Sequence, residues 1–320
     1  MADLRLRVIV EDPDRPRTAG ERVEGTVEVE ALDDADCDGL HARVGWRTSG
    51  SANRAEAEGT EVLLGRGELR TGDRRSFPFS LVVPEGPPSY AGKRFSVHWT
   101  VRARASLSWA FDPKAEGPFL VAAAPAPSAT LVQKKEAGGF EVGCAVAASV
   151  IAAACVGILL ATGGEGIGWW ILGGLAAVIA FFMVPVSMGY RRAGPVVFEA
   201  GPSPAAPGGE LALRLSATPR SHLAPKSVAV TLTGKELSVH GSGKSKSTKS
   251  EVLETVKVVL EGPEEVRPGK EGVWAGMVRV PEEAAPSFEA GPHKVVWKLQ
   301  AQMDIDWLPD PTWDLDLEVR

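Results

Sequence analysis

The chain has little of what usually marks a catalytic or metal-binding protein. Among 320 residues there are three cysteines and five histidines. His41, His98, His222, His240 and His293 lie far apart, and none stands at a metal-ligand spacing. They are read as ordinary surface or edge residues, and no metal or cofactor is expected. Cys144 and Cys155 lie in an apolar run and Cys37 is alone in a soluble segment, so the thiols form no disulfide framework and fit a reducing compartment. G-x-S-x-G, H-E-x-x-H, C-x-x-C and the phosphate-binding G-x-x-x-x-G-K-[ST] are all missing. GRGELRTGD, residues 65–73, has a G-x-G without the third glycine and lies between β-rich flanks, which excludes a dinucleotide fold. Paired acids such as Asp33 with Asp34 read as loop solvation, so an enzymatic reading has no residue to nominate. The net charge of -6 is spread thinly without a basic block, so nucleic acid is not the expected partner. No signal peptide is expected at MADLRLRVIVEDPDRP, which alternates apolar and charged residues and reads as a first β-strand.

What the chain does have, first, is a long apolar middle. Residues 143–162, GCAVAASVIAAACVGILLAT, and 166–190, GIGWWILGGLAAVIAFFMVPVSMGY, carry no charge. At about 1.5 Å per residue, each is long enough for roughly 30 Å of hydrocarbon. The glycines at 163–168 break the run and put Glu165 at a turn, which predicts a two-helix transmembrane hairpin over 141–190. Lys134 and Lys135 before it, with Arg191 and Arg192 after it, predict a two-pass integral membrane protein with both termini and both soluble portions cytoplasmic. Trp169 and Trp170 are expected at the far interface. Ala145, Ser149, Ala153, Gly157 and Ala161, with Gly173 and Ala177 opposite, form a small-residue ridge for helix packing, within the hairpin or between copies. No ionisable residue lies mid-span, which excludes a proton relay.

The second feature is an internal repeat. PSYAGKRFSVHWTVRARASLSWAFDP, residues 88–113, aligns without a gap on PSFEAGPHKVVWKLQAQMDIDWLPDP, residues 286–311. Pro88, Ser89, Trp99, Ala103, Trp109, Asp112 and Pro113 recur as Pro286, Ser287, Trp297, Ala301, Trp307, Asp310 and Pro311, and Tyr90 becomes Phe288. Val97, Trp99, Val101, Ala103, Ala105 and Leu107 alternate with His98, Thr100, Arg102, Arg104 and Ser106, the period of a half-buried antiparallel strand. FPFSLVVP and WAGMVRVP, each ending in a proline, supply the preceding strand of each copy. Helical periodicity is weak on both sides of the apolar run. The fold class expected is mainly β: two immunoglobulin-like β-sandwiches over 1–121 and 195–320, joined by a Pro/Ala-rich linker at 122–140 and the hairpin. Trp46, Trp99, Trp109, Trp274, Trp297, Trp307 and Trp313 are expected in the cores.

AGERVEGTVEV (19–29), VPEGPPSYAGKRFSVHW (83–99), VPEEAAPSFEAGPHKVVW (280–297) and the opening GGELAL resemble, in their order, the arrestin-like family. The resemblance covers most of 1–121 and 195–320. It implies a pair of β-sandwiches that bind proteins or membrane components without catalysis. The family joins its halves by a short linker, whereas roughly 70 residues intervene here, and no match to its buried charged core or phosphate-sensing lysines is found, so receptor recognition is not carried over.

GSGKSKSTKS, residues 241–250, has the composition of a hairpin loop, and its Lys244, Lys246 and Lys249 are candidates for contact with anionic lipid, with a solvated loop as the plainer reading. The function expected is a membrane-anchored adaptor or scaffold. The alternative is an accessory subunit of a membrane complex assembled through the hairpin.

Overall fold

The computed structural model describes residues 3–108, 111–124, 131–137 and 188–320. The described residues are mainly β and fall into two groups of sheets. The first contains β1 (Leu4–Val10), β2 (Arg22–Ala31), β3 (Ala35–Gly50), β4 (Glu56–Glu58), β5 (Val62–Leu69), β6 (Arg74–Val82), β7 (Tyr90–Ala91), β8 (Phe95–Leu107) and β9 (Lys114–Phe119). The second contains β10 (Leu131–Ala137), β11 (Val196–Ser203), β12 (Glu210–Ala217), β13 (Pro225–His240), β14 (Ser247–Val259), β15 (Gly272–Arg279), β16 (Phe288–Ala290), β17 (His293–Ile305) and β18 (Thr312–Leu317).

In the first unit a sheet in the order β1-β2-β6 faces another built on β4-β3-β8-β7, with β5 on β3 and β9 on β8. In the second unit, β10-β11-β12-β15 faces β14-β13-β17-β16, with β18 on β17. The alternation in sequence explains the layering. In β8 the odd positions Phe95 to Leu107 are buried, and in β17 the odd positions His293 to Ile305 are buried. Each strand therefore gives one apolar face to the space between its two sheets. Val27, Phe79, Trp99 and Val101 fill one core; Phe198, Leu213, Trp297 and Met303 fill the other.

The two units repeat their local bonding at a constant offset. Trp99 Nε1–H donates to the carbonyl of Pro87 and Trp297 Nε1–H to that of Ala285, both at 2.8 Å. Ser89 Oγ accepts the N–H of Val121 at 2.9 Å, and Ser287 Oγ accepts that of Val319 at 3.0 Å. The shared Pro-Ser pair is therefore a clamp. Its serine ties the segment before the long strand to the end of the last strand, and its backbone N–H bonds the same residue's carbonyl. Trp99 and Trp297 thus each find a carbonyl for their one polar atom, which removes the main cost of placing an indole in a core.

β10 comes from within the stretch read as a linker. It pairs antiparallel with β11, with Ala137 opposite Val196, so the second unit takes strands from both sides of the intervening segment. The transmembrane reading needs correction. Among the described residues no helix is long and apolar enough to cross a membrane. The α-helical stretch they contain, residues 188–193, spans roughly 9 Å against the roughly 30 Å of a hydrocarbon core. The spans 143–162 and 166–187 lie outside the described residues. The hairpin, the two-pass membrane assignment and the cytoplasmic placement, which rested on apolar length and flanking charge, are therefore withdrawn.

If the Pro-Ser clamps hold the last strands, Ser89→Ala and Ser287→Ala should each lower stability by about 1 kcal/mol. Trp297→Ala should cost about 3–5 kcal/mol through the cavity left in the core. Urea unfolding midpoints of the full chain check both, with the tryptophan variant shifted several times further.

Candidate functional site

The residues proposed from sequence as a site do not come together. The ridge Ala145, Ser149, Ala153, Gly157, Ala161, Gly173 and Ala177, and the interface pair Trp169 and Trp170, lie outside the described residues. Lys134 and Lys135 are in β10, in register with Glu199 and Phe198 of β11. Arg191 and Arg192 are exposed on the helical stretch 188–193. Lys244, Lys246 and Lys249 are exposed, on the short 3-10 turn Gly243–Ser245 and the start of β14. Trp46, Trp99, Trp274, Trp297 and Trp313 are buried, Trp109 lies outside the described residues, and Trp307 is 99% exposed at the β17–β18 turn.

What the structure does bring together is the junction between the units, which the sequence reading did not single out. The turn before β8 in the first unit meets its counterpart before β17 in the second. Tyr90 packs edge-on against Phe288 at 5.2 Å, and Phe95 stacks on the His293 ring at 4.5 Å. These are the same two positions of the repeat, meeting as they do across the twofold axis of a symmetric dimer. The contact is continuous with a core, since Ala290 and Val295 of the second unit belong to the buried cluster of the first.

Polar groups then fix the register. Glu236 is fully buried at the end of β13. One carboxylate oxygen, Oε1, accepts the Tyr90 hydroxyl at 2.5 Å and the Lys93 N–H at 3.0 Å, and Oε2 accepts the Arg94 N–H at 2.9 Å. All three donors come from the other unit. Gly92 makes room for this: a Cβ there would sit 1.7 Å from Glu236 Oε1. On the other side Asn53 Nδ2–H donates to the Gly241 carbonyl at 2.8 Å and its Oδ1 accepts the Gly241 N–H at 3.2 Å, while its backbone N–H reaches Val239. Gly291, at φ +60°, also permits a close approach, because a Cβ there would lie 2.8 Å from that of Ala55. Arg94 and Glu251 add an ion pair at 3.8 Å at the rim.

The duplicated positions have diverged to become complementary. In register, Thr48 lies opposite Val97 and Glu236 opposite Val295. Thr48 uses its hydroxyl locally on Ala55. Its counterpart Glu236 is long enough to cross to the partner unit. The five histidines were read as surface or edge residues, and for His293 this is corrected: it is 1% exposed. A signal was present, since the repeat aligns His293 with Phe95, an inward position.

Burial first, then the hydrogen bond and the charge of Glu236, push the Tyr90 phenol well above its ordinary value, so it remains a donor. Burial also holds the His293 imidazole below its ordinary value. The Asn53 carbonyl can only accept, so His293 Nε2 carries the proton at 2.8 Å, and Nδ1 faces the Ser238 hydroxyl at 3.3 Å.

A second feature is an open cleft on the outer face of β11, β12 and β15. It is lined by Glu199, Pro202, Ala212, Arg214 and Met277, the last 58% exposed. The outer face of the first unit carries instead an ion network, in which Arg43 and Arg102 hold Glu58 while Arg47 and Arg102 hold Glu116. No protein-family model matches the sequence, and no curated protein matches it either.

Glu236→Ala leaves three half-buried donors without their acceptor and should cost about 2–3 kcal/mol, with Tyr90→Phe costing about 1–2 kcal/mol. Thermal or urea unfolding measures both. The raised phenol gives a sign for high pH. Tyr90 contributes stability that is present below the unfolded value of about 10 and lost as pH rises beyond it. Wild type should therefore lose stability at alkaline pH more steeply than Tyr90→Phe.

Proposed function

We propose that the chain is a non-enzymatic adaptor whose two arrestin-like β-sandwiches bind protein partners as one rigid platform. The observation that carries this is the junction. A buried carboxylate, an aromatic cluster and a two-way asparagine bridge hold the units at one relative position, so their outer faces present a fixed pair of surfaces. Contacts between domains of one chain are commonly polar and permit motion. Here a shared apolar core works against motion, and binding two points of a partner through a fixed spacing gains effective concentration over two independent modules.

The two-layer organisation and the repeated strand order support the arrestin-like reading of each unit. The binding face supported best is the cleft of β11, β12 and β15. It combines an exposed methionine, small residues that let another chain approach closely, and one charge of each sign in Glu199 and Arg214.

A photo-crosslinking residue in place of Met277 in the full chain should attach covalently to a protein partner in extracts of the source cell. Arg214→Glu should reduce that attachment by about tenfold or more while leaving the circular dichroism spectrum unchanged. Attachment that is indifferent to Arg214→Glu, or that is missing from the outer faces of both units, overturns the adaptor reading.

A further inference from the structure

The junction contains the ingredients of a proton-operated latch. Its two halves meet through a carboxylate and an imidazole, both removed from water. Oε1 and Oε2 of Glu236 both accept N–H groups of the first unit, and Oε1 accepts the Tyr90 hydroxyl as well. His293 fits as the neutral ring: Nε2–H is fixed on the Asn53 carbonyl, its face lies on Phe95, and Nδ1 is free only to accept. A second proton, arriving at Nδ1 from solvent, would place a cation between an aromatic ring and the buried end of β13.

The surroundings oppose that cation. On β13, His240 lies near enough to disfavour a charge on His293, and its Nε2 is buried without a partner. From the first unit come Arg94, whose Nε is buried and unpartnered, with Lys93 beside it and Arg54 next to Asn53. Lys294 follows His293 on β17, and Lys244 and Lys246 stand on the loop whose base is tied to Asn53. Against these stand Glu236, committed to the three donors, Glu251, paired with Arg94 at the rim, and Glu289, paired with Lys294. Each of these three carboxylates thus already has a partner of its own.

We propose that mild acidification opens the junction, separating the two units at the Phe95–His293 and Glu236 contacts while each keeps its own sheets. Opening further exposes a cluster of Tyr90, Phe95 and Phe288, of which Phe95 is buried and the other two half-buried in the closed form. The direction of the imidazole supports the sign. A histidine held below its unfolded value of about 6.5 contributes stability that is complete above that pH and is lost as pH falls through it towards the folded value. The second unit's core does not draw on the junction, since its cluster contains no residue of the first, so opening does not require it to unfold.

Hydrogen exchange on the full chain, corrected for the intrinsic effect of pH, tests this without a binding partner, so its failure leaves the adaptor reading standing. Between about pH 7.5 and about pH 5.5, amides of Asn53, Lys93, Arg94 and Gly241 should lose on the order of tenfold protection, while those of Val27 and Leu213 in the unit cores stay unchanged. Constant protection across that range, or a loss shared by the cores, overturns the proposal. His293→Phe installs the residue of the first unit and should remove most of the pH response, and Glu236→Gln should weaken the junction at both pH values. An undiminished response in a folded His293→Phe overturns the assignment to that ring. If this variant does not fold, the wild-type pattern alone decides.

Discussion

A carboxylate withdrawn from water has to be repaid in hydrogen bonds, and Glu236 obtains all three of its own from the other half of the molecule. Among the described residues no lysine or arginine side chain pairs with it, so its stability rests on two adjacent backbone N–H groups and one phenol. That dependence runs in both directions. The turn at residues 90–94 has a defined conformation because its N–H groups have a buried acceptor, and the end of β13 can carry an acid because that turn is present. Gly92, the cross-packed rings of Tyr90, Phe95 and Phe288, and the stacked His293 all serve the same approach. Remove the carboxylate and the remaining contacts would still attract the two units but would specify their register less sharply.

Duplication accounts for why the units meet at this place. A repeated chain brings identical surfaces to an approximate twofold axis, where each position faces its own copy or a near neighbour. Such a contact begins as like against like. Here it has become unlike: phenol against phenyl, phenyl against imidazole, and a local threonine replaced by an acid that crosses. The divergence turns a generic apolar patch into one with a single correct partner. The buried tryptophans and Pro-Ser clamps, away from the axis, keep the same bonds in both copies because they serve each unit alone.

Much of the layering was legible in the sequence, because period-two alternation has one structural meaning when one face is buried. The 88–113 and 286–311 segments carried that signal, and β8 and β17 follow it. The junction was less legible. Glu236 falls in phase with Val230 and Leu232, which marks it as an inward acid, but nothing local says that its partners lie some 140 positions earlier. His293 was passed over as a lone histidine although the repeat had already set it against Phe95. The apolar middle failed for a different reason. A length rule reports what a segment is able to span and not what surrounds it, and the described residues supply no spanning helix.

The pairing of β10 with β11 also bears on how the polypeptide is made. Ala137 and Val196 are cross-strand neighbours, about 5 Å apart, so the chain leaves the second unit and re-enters it at one point on one sheet edge. The ribosome delivers the first unit complete, and then the first strand of the second. The partners of that strand emerge only after the whole intervening stretch has been synthesised. During that interval an unsheathed strand edge next to an apolar run must wait for β11. The second unit is thus the kinetically exposed half, and its assembly, unlike that of the first, depends on a chain excursion being brought back to where it began.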